Sequence, residues 1–379
     1  MTFGLGKRRR YHLLSTLLNK LAKNSAVSGQ QMATNENLYQ NQSPCDHQTA
    51  ANLDRGTAST EQLRDVSFVM PVQNEENFLD AAVESVLSQQ TPGKSQIVLV
   101  LGQSSDRTDN IAARLAKKHS EITIVLSPTG STPDSLNLGI AACEFDCIIR
   151  VDGHCSLPSG YASLAIEILN ASKAANVGGM MAAKGRSNFQ RAVALAYNNW
   201  FGLGGGKFHI GGTAGPAESV YLGCYNKKIM DSIGWFSKKY KRGQDWELNY
   251  RIRQAGHQVW FDPRLSVDYF PRENIYDLSR QFYSTGLWRG RLTIASPGRS
   301  NLRYWAPSLM VISTALLFPL LAYLVAILVI TVYQMRKQPR TGMWLFAILP
   351  IIHTTFGIGF LAGMLKQILF NNDEIHTNE

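Results

Sequence analysis

Two acidic residues in the chain have neighbours that suit catalysis or metal binding. The first is Asp152, which follows the apolar run 147–151, precedes Gly153 and lies two positions before His154. A carboxylate and an imidazole at this spacing can face one ion, and a bound Mg²⁺ or Mn²⁺ would neutralise charge developing on a departing diphosphate. Asp152 and His154 are therefore candidate ligands of a divalent metal. A turn aspartate that caps the next helix is the alternative interpretation of Asp152.

The second is Asp245, in the segment 244–248 at the predicted start of a helix. A carboxylate can act as the general base that removes a proton from an attacking hydroxyl group. A single displacement needs one such base opposite the leaving group, and Asp245 is our candidate for it. Taken alone, Asp245 could equally be the N-cap of its helix.

The elements that must position these residues alternate between strand and helix. Asn74 is predicted to cap the first helix, with Glu75 and Glu76 in its first turn. The alternation predicts a parallel sheet covered by helices, and ligands of such sheets bind at the carboxyl ends of the strands. The strand ends at Pro71 and at Asp152 should therefore share one crevice. Four strands are predicted, at 66–70, 97–101, 122–126 and 147–151.

The second half of the domain has a more mixed pattern. It predicts an α/β arrangement whose strands need not be parallel. Helices are predicted at 158–172, 187–199, 226–233, 244–255 and 276–290. Strands are predicted at 177–182, 219–224 and 258–261.

The end of the chain predicts a membrane anchor. Residues 305–333 and 343–365 contain no Asp, Glu, Lys or Arg, and about 20 apolar residues span a hydrocarbon core. Two transmembrane helices over 301–370 are the simplest interpretation, with a polar tail at 371–379. Pro319 leaves a kinked or re-entrant first span open, and buried helices of a soluble protein are the remaining alternative. The small excess of Arg and Lys on the domain side predicts a catalytic domain that faces the cytoplasm.

The net charge is +10, and its basic residues do not form one stripe but lie at the N-terminus and just before the apolar tail. Basic residues at 7–10 and at 289–303 favour contact with anionic lipid headgroups, and we expect no nucleic-acid partner. Residues 1–62 are predicted to be a basic segment followed by a disordered linker. Five cysteines without a Cys-x-x-Cys pair favour reduced thiols over a disulfide framework or a structural zinc site.

Four blocks together resemble glycosyltransferase family 2. They are 66–76, 104–108, 150–154 and 245–251, and their order and spacing match the family across 66–295. The succinoglycan-synthesis type glucosyltransferases, which also carry apolar C-terminal helices, are the most similar subgroup. The resemblance implies a GT-A fold with a Rossmann-like, mostly parallel sheet over 63–300, a nucleoside-diphosphate sugar donor, a divalent metal and inversion at the anomeric carbon.

The resemblance also implies roles for individual residues. Asp245 matches the catalytic base, and Asp152 matches the acidic metal-binding motif, with His154 in place of its second Asp. Acceptor binding is expected of Trp246, Tyr283, Trp288 and Arg289. Glu218, just before the strand predicted at 219–224, is a further acceptor-binding candidate from its position, and exposure to solvent without a role is the alternative. Donor binding is expected of Pro71, Val72, Gln73, Asn74, Glu75, Gln103, Asp106 and Asp152.

Three departures from the family pattern bear on function. The chain has Leu-Gly-Gln at 101–103 where an Asp pair usually contacts the base or ribose, so Gln103 or Asp106 is expected to substitute. Position 244 is Gln where the base motif usually has Glu. The Gln-x-x-Arg-Trp motif of processive polymerases is missing at 281–285, which predicts one sugar per visit.

The sequence therefore predicts a membrane-anchored hexosyltransferase that uses a nucleotide sugar, with UDP-sugars favoured, and a lipid-linked or membrane-associated saccharide acceptor. Exopolysaccharide or cell-envelope glycan synthesis is the expected setting. A glycolipid synthase with a diacylglycerol-like acceptor and a catalytically decayed membrane scaffold are the rivals. Retention of Asp152 and Asp245 argues against the scaffold. The oligomeric state is left open.

Overall fold

The computed structural model describes residues 62–203, 205–240, 242–295, 302–313 and 317–370. The described residues fall almost entirely in one compact unit, Glu61–Leu292 with Leu302–Glu379. The other unit comprises Met1–Thr60 and Thr293–Asn301, of which only 293–295 are described. The predicted basic segment and linker up to residue 61 and the polar tail at 371–379 lie outside the described residues.

One sheet of eight strands forms the centre of this unit, in the order β3-β2-β1-β4-β7-β5-β8-β6. β1, β2, β3 and β4 pair in parallel, as do β5 and β8, whereas the pairs β4–β7, β5–β7 and β6–β8 are antiparallel. The strands are β1 Val66–Val72, β2 Ser95–Leu101, β3 Ile122–Leu126, β4 Cys147–Arg150, β5 Asn176–Ala183, β6 Gly215–Pro216, β7 Tyr221–Asn226 and β8 Val259–Tyr269.

Helices cover both faces of this sheet, because the central strands are apolar on both sides. α1, α2 and α4 pack on one face, while α3, α8 and α9 pack on the other. The helices of the domain are α1 Leu79–Leu87, α2 Thr108–Lys118, α3 Thr132–Ala141, α4 Tyr161–Ser172, α5 Asn188–Tyr197, α6 Trp200–Leu203, α7 Lys207–Ile210, α8 Lys227–Ile233, α9 Gln244–Gln254 and α10 Ile275–Ala295.

The predicted anchor forms apolar helices. They are α11 Ala306–Ser313, α12 Leu317–Lys337, α13 Pro339–Gly342 and α14 Leu345–Phe370, after a 3₁₀ turn at Leu302–Tyr304. Two segments, Leu320–Lys337 and Pro339–Leu369, are long and apolar enough to cross a membrane. The apolar stretch predicted at 305–333 thus contains α11 and most of α12.

Glycines bring α10 and α14 into close backbone contact. A Cβ added at Gly290 would lie 2.0 Å from the carbonyl oxygen of Phe360, and one at Gly363 would lie 2.0 Å from that of Leu287. Gly286 and Gly359 make equivalent approaches in the same pair of helices. Both helices therefore carry a small-xxx-small pattern, which permits close packing of helices in lipid. The apolar helix α14 is thus fixed directly against α10.

Candidate active site

The last residue of β4, Arg150, links the two acidic residues that the sequence singles out. Its Nη2 and Nε atoms donate to Oδ1 of Asp152, over 2.8 Å and 3.1 Å, and its Nη1 atom donates to Oδ1 of Asp245. The Arg150 side chain is 11% exposed, while that of Asp245 is 39% exposed. The strand end at β4 and the start of α9 are therefore joined by one buried cation.

Charge explains how this cluster tolerates burial. Burial is the largest influence on the pKa of Arg150 and lowers it, but the negative charges of Asp152 and Asp245 hold that pKa well above its usual value. Burial raises the pKa of Asp152, and the positive charges of Arg150 and His154 bring that pKa below its usual value. Arg150 and Asp152 are therefore ionised at neutral pH, and the Asp245 side chain contacts the same guanidinium.

The end of β1 forms the facing wall through an unusual backbone turn. Asn74 has a φ of 56°, in the left-handed region that asparagine tolerates better than most residues. Its Oδ1 atom accepts a hydrogen bond from the Ser105 backbone N–H at 2.8 Å. The Asn74 side chain is thus bonded to the loop after β2, and α1 begins only at Leu79, with Phe78 at its N-cap. The prediction that Asn74 caps the first helix is therefore wrong.

Hydrogen bonds tie this turn to the loop that follows β2. Gln73 Nε2 donates to the Gln103 carbonyl at 3.0 Å, and the Glu76 N–H donates to Asp106 Oδ2 at 3.2 Å. A hydrogen bond from Thr108 is the main reason that the pKa of Asp106 lies below its usual value. Asn74, Gln103 and Asp106 thus support the wall at the end of β1 but do not line the cavity, and direct donor binding by them stays a prediction.

A cavity of about 820 Å³ lies between these elements. It joins the β1 end, the β4 end, the start of α9 and the wall of α10, and it includes Asp152, His154 and Asp245. Its size suits a small-molecule ligand. Of the predicted donor residues, those that line it are Pro71, Val72, Gln73, Glu75 and Asp152.

Asp152 and His154 offer a small donor set for a divalent cation. Both hydrogen bonds from Arg150 go to Oδ1 of Asp152, so they leave Oδ2 unused. His154 Nδ1 lies 2.8 Å from Glu75 Oε1, an arrangement that orients Nε2 of a metal-binding histidine. No group of three or more His, Cys, Asp or Glu side chains suited to a metal occurs among the described residues. The pair fits Mg²⁺ or Mn²⁺ only as an ion that completes its shell with substrate phosphates.

The predicted acceptor residues divide between the cavity and a cluster beside it. Trp288 and Arg289, both on α10, line the cavity. The Arg289 guanidinium lies 4.9 Å from the ring centre of Trp246, which is behind the cavity wall. Glu218 lies near Arg303, whose charge acts on Arg289, whereas Tyr283 is 41% exposed and does not line the cavity.

Several cavity residues were missed by sequence reasoning. Arg150 carried a signal, because a charged residue at the end of an apolar strand needs a buried partner. Arg242 and Gly130 carried none, since they lie in irregular segments whose path a pattern does not predict. Gly130 has a φ of 61°, and a Cβ there would lie 3.0 Å from Gln73 Nε2. A side chain at that position would therefore crowd Gln73 at the end of β1.

Comparison with known proteins agrees with this arrangement. Residues 67–234 match the family model described as Glycosyl transferase family 2. The chain is 28% identical over 253 residues to the succinoglycan biosynthesis protein ExoA of Rhizobium meliloti (strain 1021), covering 66% of this chain and 77% of that protein.

A second relative is the dolichyl N-acetyl-alpha-D-glucosaminyl phosphate 3-beta-D-2,3-diacetamido-2,3-dideoxy-beta-D-glucuronosyltransferase of Methanococcus voltae. It is 26% identical over 320 residues, which cover 79% of this chain and 97% of that enzyme. Among solved structures, the mannosyltransferase PcManGT from Pyrobaculum calidifontis, in complex with GDP-Man and Mn²⁺, superposes with a TM-score of 0.54 at 14% identity, covering 83% of this chain and 89% of that one. This likeness confirms the predicted GT-A fold.

Proposed function

Since the chain belongs to glycosyl transferase family 2 and is a glycosyltransferase, we propose that it inverts the anomeric carbon as it transfers one hexose. The donor is a nucleoside-diphosphate sugar, in the first instance a UDP-sugar. The acceptor is a saccharide that is lipid-linked or otherwise held at the membrane. The product belongs to an exopolysaccharide or a cell-envelope glycan.

One observation carries the proposal: Asp152 and Asp245 line the same cavity while both are bonded to Arg150. A donor diphosphate near the β4 end would leave the sugar directed toward α9. An acceptor hydroxyl would then approach from the side of Asp245. This geometry suits an in-line displacement with one base and one leaving group at opposite ends.

Each polar group has a distinct task in this reaction. Asp245 accepts the proton of the acceptor hydroxyl as that oxygen attacks the anomeric carbon. Arg150 orients Asp245 before the donor arrives. The β1 turn, with Gln73 and Glu75, holds the nucleotide. Asp152 and His154 would hold Mg²⁺ or Mn²⁺, which when bound neutralises negative charge on the departing nucleoside diphosphate.

The membrane part of the proposal rests on three features. Two segments of the apolar helices could span a bilayer. The Methanococcus voltae relative carries a dolichyl phosphate-linked sugar in its name. The small excess of Arg and Lys residues lies on the domain side of the apolar helices. We therefore propose a multi-pass protein with a domain at 63–300 on the cytoplasmic side and an anchor at 301–370.

Incubation of membranes that contain the full chain with labelled UDP- and GDP-sugars tests the proposal. We expect one labelled sugar to enter the lipid fraction as a single residue, with inverted configuration. Label in diacylglycerol-based lipid would favour the glycolipid synthase instead. If no sugar nucleotide is bound or consumed by the wild-type chain under any metal condition, the enzyme proposal fails and the scaffold alternative stands.

A further inference from the structure

Two arginines beside the cavity converge on one tyrosine ring. The Arg289 guanidinium lies 4.2 Å from the ring centre of Tyr304, and the Arg303 guanidinium lies 5.0 Å from it. Arg303 Nη2 also donates a hydrogen bond to the Tyr304 hydroxyl at 3.0 Å. We refer to Arg289, Arg303 and Tyr304 as the arginine cluster. Cation–π contacts hold two like charges close together here.

The arginine cluster places two positive charges side by side. An acidic neighbour is Glu218, whose Oε2 atom lies 3.6 Å from Arg303 Nη2. The Glu218 side chain is 55% exposed, so this ion pair is weak and easily exchanged. Burial lowers the pKa of Arg289, and the charge of Arg303 lowers it further. A phosphate, which has more free oxygens and more negative charge than a carboxylate, would relieve the repulsion between Arg289 and Arg303 better than Glu218 does.

The position of the cluster indicates where that anion belongs. Arg289 lines the cavity that contains Asp245, so one side of the cluster faces the reaction site. On the other side, Tyr304 ends the 3₁₀ turn that leads into α11. α11 packs on α14, where Gly357 approaches the Pro307 carbonyl closely. The cluster therefore lies between the cavity and the apolar helices.

From this position we infer that Arg303, with Arg289 and Tyr304, binds the phosphate or diphosphate that joins the acceptor saccharide to its lipid. The inference rests on the proposed membrane-associated acceptor. Guanidinium groups form paired hydrogen bonds with phosphate oxygens. The lipid would follow the apolar helices, and the saccharide would extend along Arg289 toward Asp245. Glu218 pairs with Arg303 until the phosphate displaces the Glu218 carboxylate.

Binding of farnesyl diphosphate and of farnesol to the full chain in detergent tests this inference by calorimetry. Saturating UDP with Mn²⁺ occupies the donor site, so only a separate phosphate site is measured. We expect wild-type protein to bind the diphosphate at least about tenfold more tightly than the alcohol, as for hydrogen bonds to charged groups. Arg303→Gln should remove that preference, and Glu218→Gln should tighten diphosphate binding. Arg340→Gln, at an exposed position at the start of the second candidate span, is the matched control.

The inference is overturned if Arg303→Gln keeps the wild-type preference for farnesyl diphosphate over farnesol. If that variant also loses binding to phosphatidylglycerol vesicles, Arg303 is assigned to bilayer headgroups instead. UDP binding by each variant reports its folding. Sugar transfer by wild-type membranes tests the proposed function independently. The proposed function and the phosphate site at Arg303 can therefore fail separately.

Discussion

Arg150 donates a hydrogen bond to Asp245 across the gap between the end of β4 and the start of α9. Ninety-five positions separate these two residues, and the same guanidinium also holds Asp152. The relationship means that the proposed base is oriented in the absence of substrate. It also means that a change of charge near Asp152 alters the electrostatic environment of Asp245, because both side chains contact Arg150.

Asp245→Asn tests the base directly. The amide keeps the shape and can still accept a hydrogen bond from Arg150, but it cannot take the proton of the acceptor hydroxyl. We expect the transfer rate to fall by about 10² to 10⁴, with the affinity for UDP in Mn²⁺ nearly unchanged. Initial rates with labelled donor measure the first quantity and calorimetry measures the second.

Asp109→Asn is the matched control, because Asp109 is also an acidic residue in the first turn of a helix but lies outside the cavity. It should behave as wild type. Wild-type turnover in Asp245→Asn would remove Asp245 from the mechanism.

Arg150→Met should destabilise the domain by about 3 to 5 kcal/mol, because it leaves two carboxylates without their buried counter-charge. Replacing Asp245 by Asn in the same chain removes part of that repulsion. The double variant should therefore lose less stability than the two single losses added together. Denaturant unfolding of all four proteins measures the coupling, and strictly additive losses would show that the two groups act independently.

Sequence patterns predicted the parallel part of the fold well, because those strands are continuous apolar runs. The four predicted strands coincide with β1, β2, β3 and β4 to within two residues, and the helix predicted at 244–255 is observed as Gln244–Gln254. The strand predicted at 258–261 extends to Tyr269, past Pro263. A register shift against β5, between Gly178 and Met180, accommodates that proline, and local pattern does not reveal such a bulge.

The candidate site was predicted in its acids and missed in its cation. Asp152 and Asp245 stand out because each follows or begins a predicted element. Arg150 begins the 150–154 motif, but the partners that its burial requires cannot be identified from a single sequence. The arginine cluster was also not foreseen, since Arg303 and Tyr304 meet Arg289 only after the chain has left α10.

Asp152→Ala should weaken UDP binding in the presence of Mn²⁺, because the proposed metal loses its carboxylate ligand. Binding measured in EDTA should change much less, which separates loss of the metal from general damage. The matched variant Asp109→Ala should leave both affinities unchanged. Equal UDP affinity of Asp152→Ala and wild type in Mn²⁺ would show that any metal is held elsewhere.

Gly290→Ala should disturb the active site through the membrane helix. Its added Cβ would lie 2.0 Å from the Phe360 carbonyl oxygen, so α10 must move away from α14. α10 carries Trp288 and Arg289, hence we expect a lower rate of sugar transfer together with a lower Tm. UDP affinity should be retained, because the β1 turn is unaffected. Ser279→Ala on the same helix is the control, and a Gly290→Ala protein with wild-type Tm and rate would contradict the close packing.

His209 should make the protein sensitive to acid. Burial lowers its pKa to about 4, with a further contribution from the charge of Arg303. The unfolded chain takes up this proton near pH 6.5, so the stability contributed by neutral His209 is complete above that pH and is lost as the pH falls toward 4. Between pH 7.5 and 5 the loss is about 2 kcal/mol, or about 4 °C in Tm.

His209→Gln removes this titration, so its Tm should fall less than that of wild type over the same pH range. The Nδ1 atom of His209 is buried without a hydrogen-bond partner among the described residues, and glutamine should therefore be tolerated at pH 7.5. His257→Gln, after the end of α9, is the matched control for replacing a histidine by glutamine. Thermal unfolding followed by fluorescence in detergent measures the difference. If wild type and His209→Gln lose Tm in parallel between pH 7.5 and 5, His209 is not the group that titrates.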